Sequence, residues 1–257
     1  MKIRLIGQMV LQVLGLMYAE IKHGEKEADI YTPQIEYSLP FCGEWYTANG
    51  GVTKNTSHSW EILPQRFAYD FIIVDEEGKS YSGDRKNLKS YYCYGKDILA
   101  PADGIVISIK NNFPDCRIME NEQTDPDTPD IGGNRIIIKH SPTEYSAICH
   151  LMPKSVTVRS GQTVKRGDVI ARCGNSGNTS EPHVHFQVQN TAHFYSSTGL
   201  PIFFSKIQKR LYSQYSTVDT RPFPGMEGEK GDYLHRGLLV KNNEDNENES
   251  NENLEGV

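Results

Sequence analysis

The sequence predicts a mainly β fold built from antiparallel strands, and three observations carry that expectation. Gly, Tyr, Val and Ile are used heavily in a chain of 257 residues with 37% hydrophobic content, enough to bury one sizeable core. From Gly132 onward, short apolar runs alternate with turns at Gly132-Gly133, Ser141-Pro142, Gly161 and Gly167, which is the pattern of a β-meander. The run from Gly174 to Val188, GNSGNTSEPHVHFQV, sets a segment of period two directly after a glycine-rich turn, as a half-buried strand requires.

Residues 1–20 open with Lys2 and Arg4 ahead of an apolar stretch from Leu5 to Ala19. They read as a signal or anchor segment, or as an amphipathic helix, because Gln8, Gln12, Gly15 and Ala19 fall on one helical face. The stretch is shorter than the roughly 20 apolar residues of a spanning helix, and export or envelope attachment through it is expected, with an interfacial or packed amphipathic helix as the alternative. Residues 21–57 form a lead-in with a strand near Trp45, a packing residue, and a tight turn at Asn49-Gly-Gly51. The domain proper is expected over 58–240. Within it, YGKDILAPADGIVISIKNN gives a loop, a turn at Ala102-Asp103-Gly104 and a strand through Ile109. Ile136, Ile138 and His140 then alternate with Arg135, Ile137 and Lys139, and a further strand from Tyr145 to Leu151 carries His150 at its end, before Met152-Pro153. Beyond the HxH segment, Thr191 to Pro201 and the pair Phe203-Phe204 are expected as a cleft wall, with His193 and Tyr195 within it. Arg236 to Val240 reads as a closing strand. Residues 241–257 hold six acidic residues against one lysine and almost nothing apolar, so they are expected to be a solvated, disordered tail. That tail accounts for most of the net charge of −6. The body is nearly neutral, and without a basic surplus nucleic-acid binding gains no support.

A strand from His183 to Gln189 sends Val184, Phe186 and Val188 into a core and places His183, His185 and Gln187 on the opposite face. Two imidazoles then point into one cleft, which reads as a metal site because neutral imidazole nitrogens are good zinc donors. A surface strand with two incidental histidines is the plainer alternative. Five cysteines, Cys42, Cys93, Cys116, Cys149 and Cys173, show no CxxC pair and form no even disulfide framework. Cys149 adjoins His150, yet consecutive strand residues point to opposite faces. Cys149 is therefore expected to be buried away from the cleft, which argues against a cysteine–histidine hydrolase.

A strand-end histidine at 150, followed by the pattern V..G..V..G..I..CGNSG and then HVH, resembles the lysostaphin/LytM family of zinc-dependent peptidoglycan endopeptidases, over roughly residues 95–190. The resemblance implies an antiparallel β-sandwich or barrel-sandwich hybrid and one Zn2+ ion. It implies His150 and His183 as catalytic residues and His185 as a zinc ligand. The family also uses a histidine and an aspartate spaced HxxxD, and QRFAYDF is the matching stretch, with Asp70 as the aspartate. Four residues before Asp70 stands Arg66, whose guanidinium offers no lone pair. The nearest preceding histidine is His58 in NTSHSWEILPQRFAYDF, and a turn at Leu63-Pro64 would return it to Asp70. His58 is the expected replacement ligand. Three protein ligands leave one coordination position open, and with no HExxH glutamate present, His150 and His183 remain to orient or deprotonate a water. The division of labour between them is not readable. The implied substrates are peptidoglycan peptides, and the implied location is the cell envelope or the extracellular space. Two rivals stand beside this reading. One is a LytM-like binding or activator module for wall hydrolases, suggested by the missing HxxxD histidine. The other is a biotinyl or lipoyl carrier, which would need a lysine presented in a tight hairpin.

Overall fold

The computed structural model describes residues 31–120, 123–224 and 233–243, with scattered residues of a helix between positions 7 and 21. Most of the expected amphipathic face and the tail beyond Asn243 lie outside the described residues. Among the described residues, no helix is long and apolar enough to cross a membrane.

Antiparallel strands dominate, as the alternating pattern predicts. The chain contributes β1 (Trp45–Asn49), β2 (Tyr69–Ile72), β3 (Asp97–Leu99), β4 (Gly104–Lys110), β5 (Asn134–Lys139) and β6 (Tyr145–Leu151). It continues with β7 (Thr163–Val164), β8 (Val169–Arg172), β9 (Val184–Gln189), β10 (Gly199–Leu200), β11 (Ile207–Leu211) and β12 (Leu238–Asn242). One large sheet runs in the order β11-β12-β1-β2-β9-β6-β5-β4-β7, with β10 added on β9, and β3 pairs β8 in a small second sheet. The core lies between them: Val106, Ile136, Ile138, Ile148, Val184, Phe186 and Val188 of the large sheet pack with Ile98, Ile170, Ala171 and Cys173 of the small one or beside it. Trp45 stacks on Phe41 with ring centroids 4.4 Å apart and is buried in that core, a packing residue as expected.

The lead-in is tied into the domain. Strand β1 lies between β12 and β2 in the large sheet. Upstream of it, Tyr31 and Tyr37 donate their hydroxyls to Glu144 at 2.5 and 3.0 Å, and the Gln34 amide donates to the same carboxylate at 2.6 Å. Glu144 itself is fully buried. The closing strand β12 also takes up Lys241 and Asn242, the first residues of the expected tail, and the Asn242 amide donates to the carbonyls of Leu39 and Phe41. Phe204, expected on a cleft wall, packs instead on Tyr69, Phe71 and Phe186 in the core.

Alternation in β2 and β9 decides which side chains leave the core. Tyr69 and Phe71 point inward with Val184, Phe186 and Val188. Asp70, His185 and Gln187 therefore occupy the other face of the large sheet, and that face carries the cleft.

Candidate metal centre

Cross-strand register assembles the floor of the cleft. Asn49 lies opposite Asp70, Asp70 opposite His185, and His185 opposite Cys149, so one row of side chains crosses β1, β2, β9 and β6 on a single face. All four line a cavity of about 410 Å³ together with His58, His150 and His183. Cys149 thus faces the cleft by register rather than lying behind it, and a bulge turns His150 to the same side. Asn134 pairs with Leu151 but Ile136 pairs with Ile148, leaving Cys149 and His150 opposite the single residue Arg135. His150 absorbs the extra residue with φ 61°. A left-handed residue in a bulge resets the side-chain direction, so two consecutive residues, Cys149 and His150, reach the same cavity. Burial pushes the Cys149 thiol up to about 12, which keeps it protonated and a poor nucleophile.

His58 arrives from outside the sheet. After the short 3-10 turn Leu63–Gln65 the chain reverses, and His58 Nε2 comes to 3.5 Å from Asp70 Oδ2, with the His58 side chain a quarter exposed at the cleft mouth. Arg66 has a structural task. Buried at 6% exposure, it donates from Nε to the Trp60 carbonyl at 2.9 Å and stacks its guanidinium over the Trp60 ring at 5.0 Å. Ser57 Oγ donates to the Arg66 carbonyl at 2.7 Å. The residue that stands where HxxxD has histidine therefore braces the loop that presents His58.

His58, Asp70 and His185 each offer one ligand atom, and these atoms all lie within 4.8 Å of one another. Asp70 Oδ1 is 2.9 Å from His185 Nδ1 and 3.7 Å from His183 Nε2, while Asn49 donates to Asp70 Oδ2 at 3.1 Å. Burial alone would raise the Asp70 carboxyl. The imidazoles of His58, His185 and His183 more than offset it, and the group is held well below the usual carboxylate range. Two imidazoles and one carboxylate match the donor set of a catalytic zinc site that keeps a position open, and among the described residues no lysine or arginine lines the cavity to compete for the carboxylate.

The two remaining histidines are oriented by backbone carbonyls. His150 Nδ1 lies 2.7 Å from the Ser176 carbonyl, and His183 Nδ1 lies 2.9 Å from that of Glu181. A carbonyl only accepts, so both Nδ1 atoms carry hydrogen, and Nε2 is the nitrogen of each ring left to exchange a proton. The two rings stand 4.5 Å apart between centroids. Burial first, then the neighbouring His183 and His185, hold His150 well below its ordinary value and hence neutral. The Ser176 carbonyl can approach because Gly133, at φ 58°, has no Cβ; one built there would stand 2.2 Å from that oxygen.

Of the expected wall residues, Phe194 lines the cavity whereas His193 and Tyr195 do not. Phe194 rests on the Arg135 guanidinium at 4.6 Å, and Arg135 is paired with Asp130. Thr179 and Glu181 also line the cleft. Thr179 Oγ1, 3.1 Å from His183 Nδ1, could have been sought in the sequence from its place in the turn that feeds the HxH strand.

Residues 88–196 match the family model described as Peptidase family M23. The matched span holds His150, His183 and His185 and ends short of His58 and Asp70. Among curated proteins, the murein hydrolase activator NlpD of Salmonella dublin is 31% identical over 135 residues, covering 52% of this chain and 30% of its own. The peptidoglycan DD-endopeptidase ShyA of Vibrio cholerae serotype O1 is 27% identical over 94 residues, 37% of this chain and 17% of its own. The chain thus spans less than a third of the length of either relative. Among solved structures, the M23 metalloprotease pseudoalterin from the deep sea is 17% identical, with a TM-score of 0.40 over 69% of this chain and 82% of that one. The match to Peptidase family M23 covers residues 88–196, less than half of the chain, and falls on the stretch whose motifs resemble the lysostaphin/LytM family.

Proposed function

We propose that this protein is a zinc-dependent endopeptidase that hydrolyses peptide bonds in peptidoglycan, acting in the cell envelope or outside the cell. The observation that carries the reading is the convergence of His58, Asp70 and His185, ligand atoms within 4.8 Å of one another, beside two histidines whose Nδ1 atoms are anchored on backbone carbonyls and whose Nε2 atoms are left to exchange a proton.

In this reading His58, Asp70 and His185 hold the ion. Zinc bound there supplies Lewis acidity, acidifying a water to a pKa of roughly 7 and polarising a peptide carbonyl. His150 and His183 do the proton work. Each has its Nδ1–H anchored on a backbone carbonyl, so its Nε2 accepts a proton and then donates it, either to the developing amine or to steady the tetrahedral oxyanion. Asn49 holds the Asp70 carboxylate in place from β1. The mixed lining, with Ile62, Ile72 and Phe194 against Asn178, Ser180 and Glu181, suits a peptide that offers both methyl groups and amides.

The relation to NlpD, whose name marks it as a murein hydrolase activator, favours a second reading in which the cleft binds without cutting. The anchored Nδ1–H groups of His150 and His183 support the enzyme, because a cleft that only binds has no need of two ring nitrogens held ready for a proton. Zinc analysis together with cleavage of purified peptidoglycan separates the two. The enzyme reading expects bound zinc and released peptides, with His183→Ala keeping the metal and losing cleavage and His185→Ala losing both. Zinc without any cleavage would favour the activator.

A further inference from the structure

Strand β9 carries more than the ligand. Its cleft-facing side continues from His185 to Gln187 and Gln189, all three essentially buried, and their side chains form an end-to-end relay. Gln189 Nε2 donates to the Thr191 carbonyl at 2.7 Å, Gln187 Nε2 donates to Gln189 Oε1 at 2.7 Å, and Gln187 Oε1 lies 2.9 Å from His185 Nε2.

The relay has a direction, and the backbone sets it. The Thr191 carbonyl can only accept, so the Gln189 amide must turn its NH2 group toward it. Gln189 then offers oxygen to Gln187, Gln187 turns its own NH2 toward that oxygen, and the oxygen of Gln187 faces His185. Reversing either amide would set oxygen against oxygen or hydrogen against hydrogen between two buried side chains. An oxygen facing Nε2 requires a hydrogen on Nε2. The electron pair of Nδ1 is then directed at Asp70 Oδ1, 2.9 Å away. Two acceptor atoms at that separation share a proton, which a metal ion would displace in order to take the same two atoms as ligands.

We propose that Gln187 and Gln189 are positioning residues that fix a hydrogen on Nε2 of His185 and thereby reserve Nδ1 as the ligand atom. This rests on the reading of His185 as a zinc ligand and adds how the ring is committed to that role. Partners of this kind change metal affinity by about tenfold to a hundredfold.

The test is zinc affinity by chelator competition, read beside the melting temperature of the metal-free protein. Gln187→Leu keeps the volume and removes the acceptor, and it is expected to weaken zinc binding by about tenfold or more. Gln187→Glu keeps an oxygen toward Nε2 but would set its second oxygen against Gln189 Oε1, so it is made together with Gln189→Leu, where it is expected to restore most of that loss. Gln189→Leu, which frees the Gln187 amide to turn over, should fall between them. A merely structural role would lower the metal-free melting temperature of both Gln187 variants and leave their affinities alike. Affinity of Gln187→Leu within about twofold of wild type, or no rescue by glutamate, overturns the proposal. Nitrogen-15 NMR of the metal-free protein decides independently of zinc. A hydrogen-bonded proton on Nε2 of His185 is expected in the wild type, its protection from exchange lost in Gln187→Leu, and a bare Nε2 overturns the relay. A wild type that takes up no zinc yet shows that proton would sink the metal reading and leave the relay standing.

Discussion

Replacing His150 by alanine is expected to lower peptidoglycan cleavage by about 10²-fold to 10⁴-fold, the range a positioned acid–base group supplies, with zinc retained. The backbone at this position adds a second, separable expectation. His150 is a non-glycine residue at φ 61°, a conformation that costs an ordinary L residue about 1–2 kcal/mol. His150→Gly removes the same imidazole but relieves that cost, so it should be more stable than His150→Ala by about 1 kcal/mol while being equally inactive. Denaturant unfolding of the two variants measures the difference. Equal stabilities would mean that the bulge imposes no strain, and retention of cleavage would remove His150 from the mechanism.

The second large effect concerns the fold. Glu144→Ala deletes the one acceptor shared by Tyr31, Tyr37 and the Gln34 amide. The Tyr37 hydroxyl is left buried without its partner, at a cost of about 1–3 kcal/mol for each such group. A total loss of about 3 kcal/mol is expected, equivalent to a drop in melting temperature of about 6–12 °C for a domain of this size. Burial, reinforced by the adjacent carboxylate, pushes both phenols above their ordinary range, as befits hydroxyls that stay donors. Glu144→Gln keeps an acceptor oxygen and should lose less. A loss below about 1 kcal/mol for the alanine variant would show that the lead-in docks through its apolar contacts alone.

How much of this was legible in the sequence follows from which interactions are local. Strands β5, β6 and β9 were readable because their alternation has period two, and the apolar half of each enters one core. The same rule misplaced Cys149. A bulge adds a residue without altering composition, and nothing in SAICHL marks the left-handed turn at His150. His58 was reachable by elimination, since Arg66 cannot coordinate a metal and a proline turn intervenes, and the structure brings it to 3.5 Å from Asp70. The sheet order could not be read, because β1 pairs with β12 across nearly the whole chain. Phe204 looked like a wall residue and proved to be core for the same reason: loop aromatics are placed by distant partners. The relay along β9 left only a faint trace in HFQVQ, where every second residue is polar on a strand that the structure buries on both faces.

The account depends on His58 completing the metal site in place of the absent HxxxD histidine. Zinc stoichiometry of the purified His58→Ala protein, measured after dialysis against a weak chelator, tests this most directly. One tightly held zinc per chain in the wild type and its loss in the variant is the predicted result. Full retention of tight zinc by His58→Ala would contradict it.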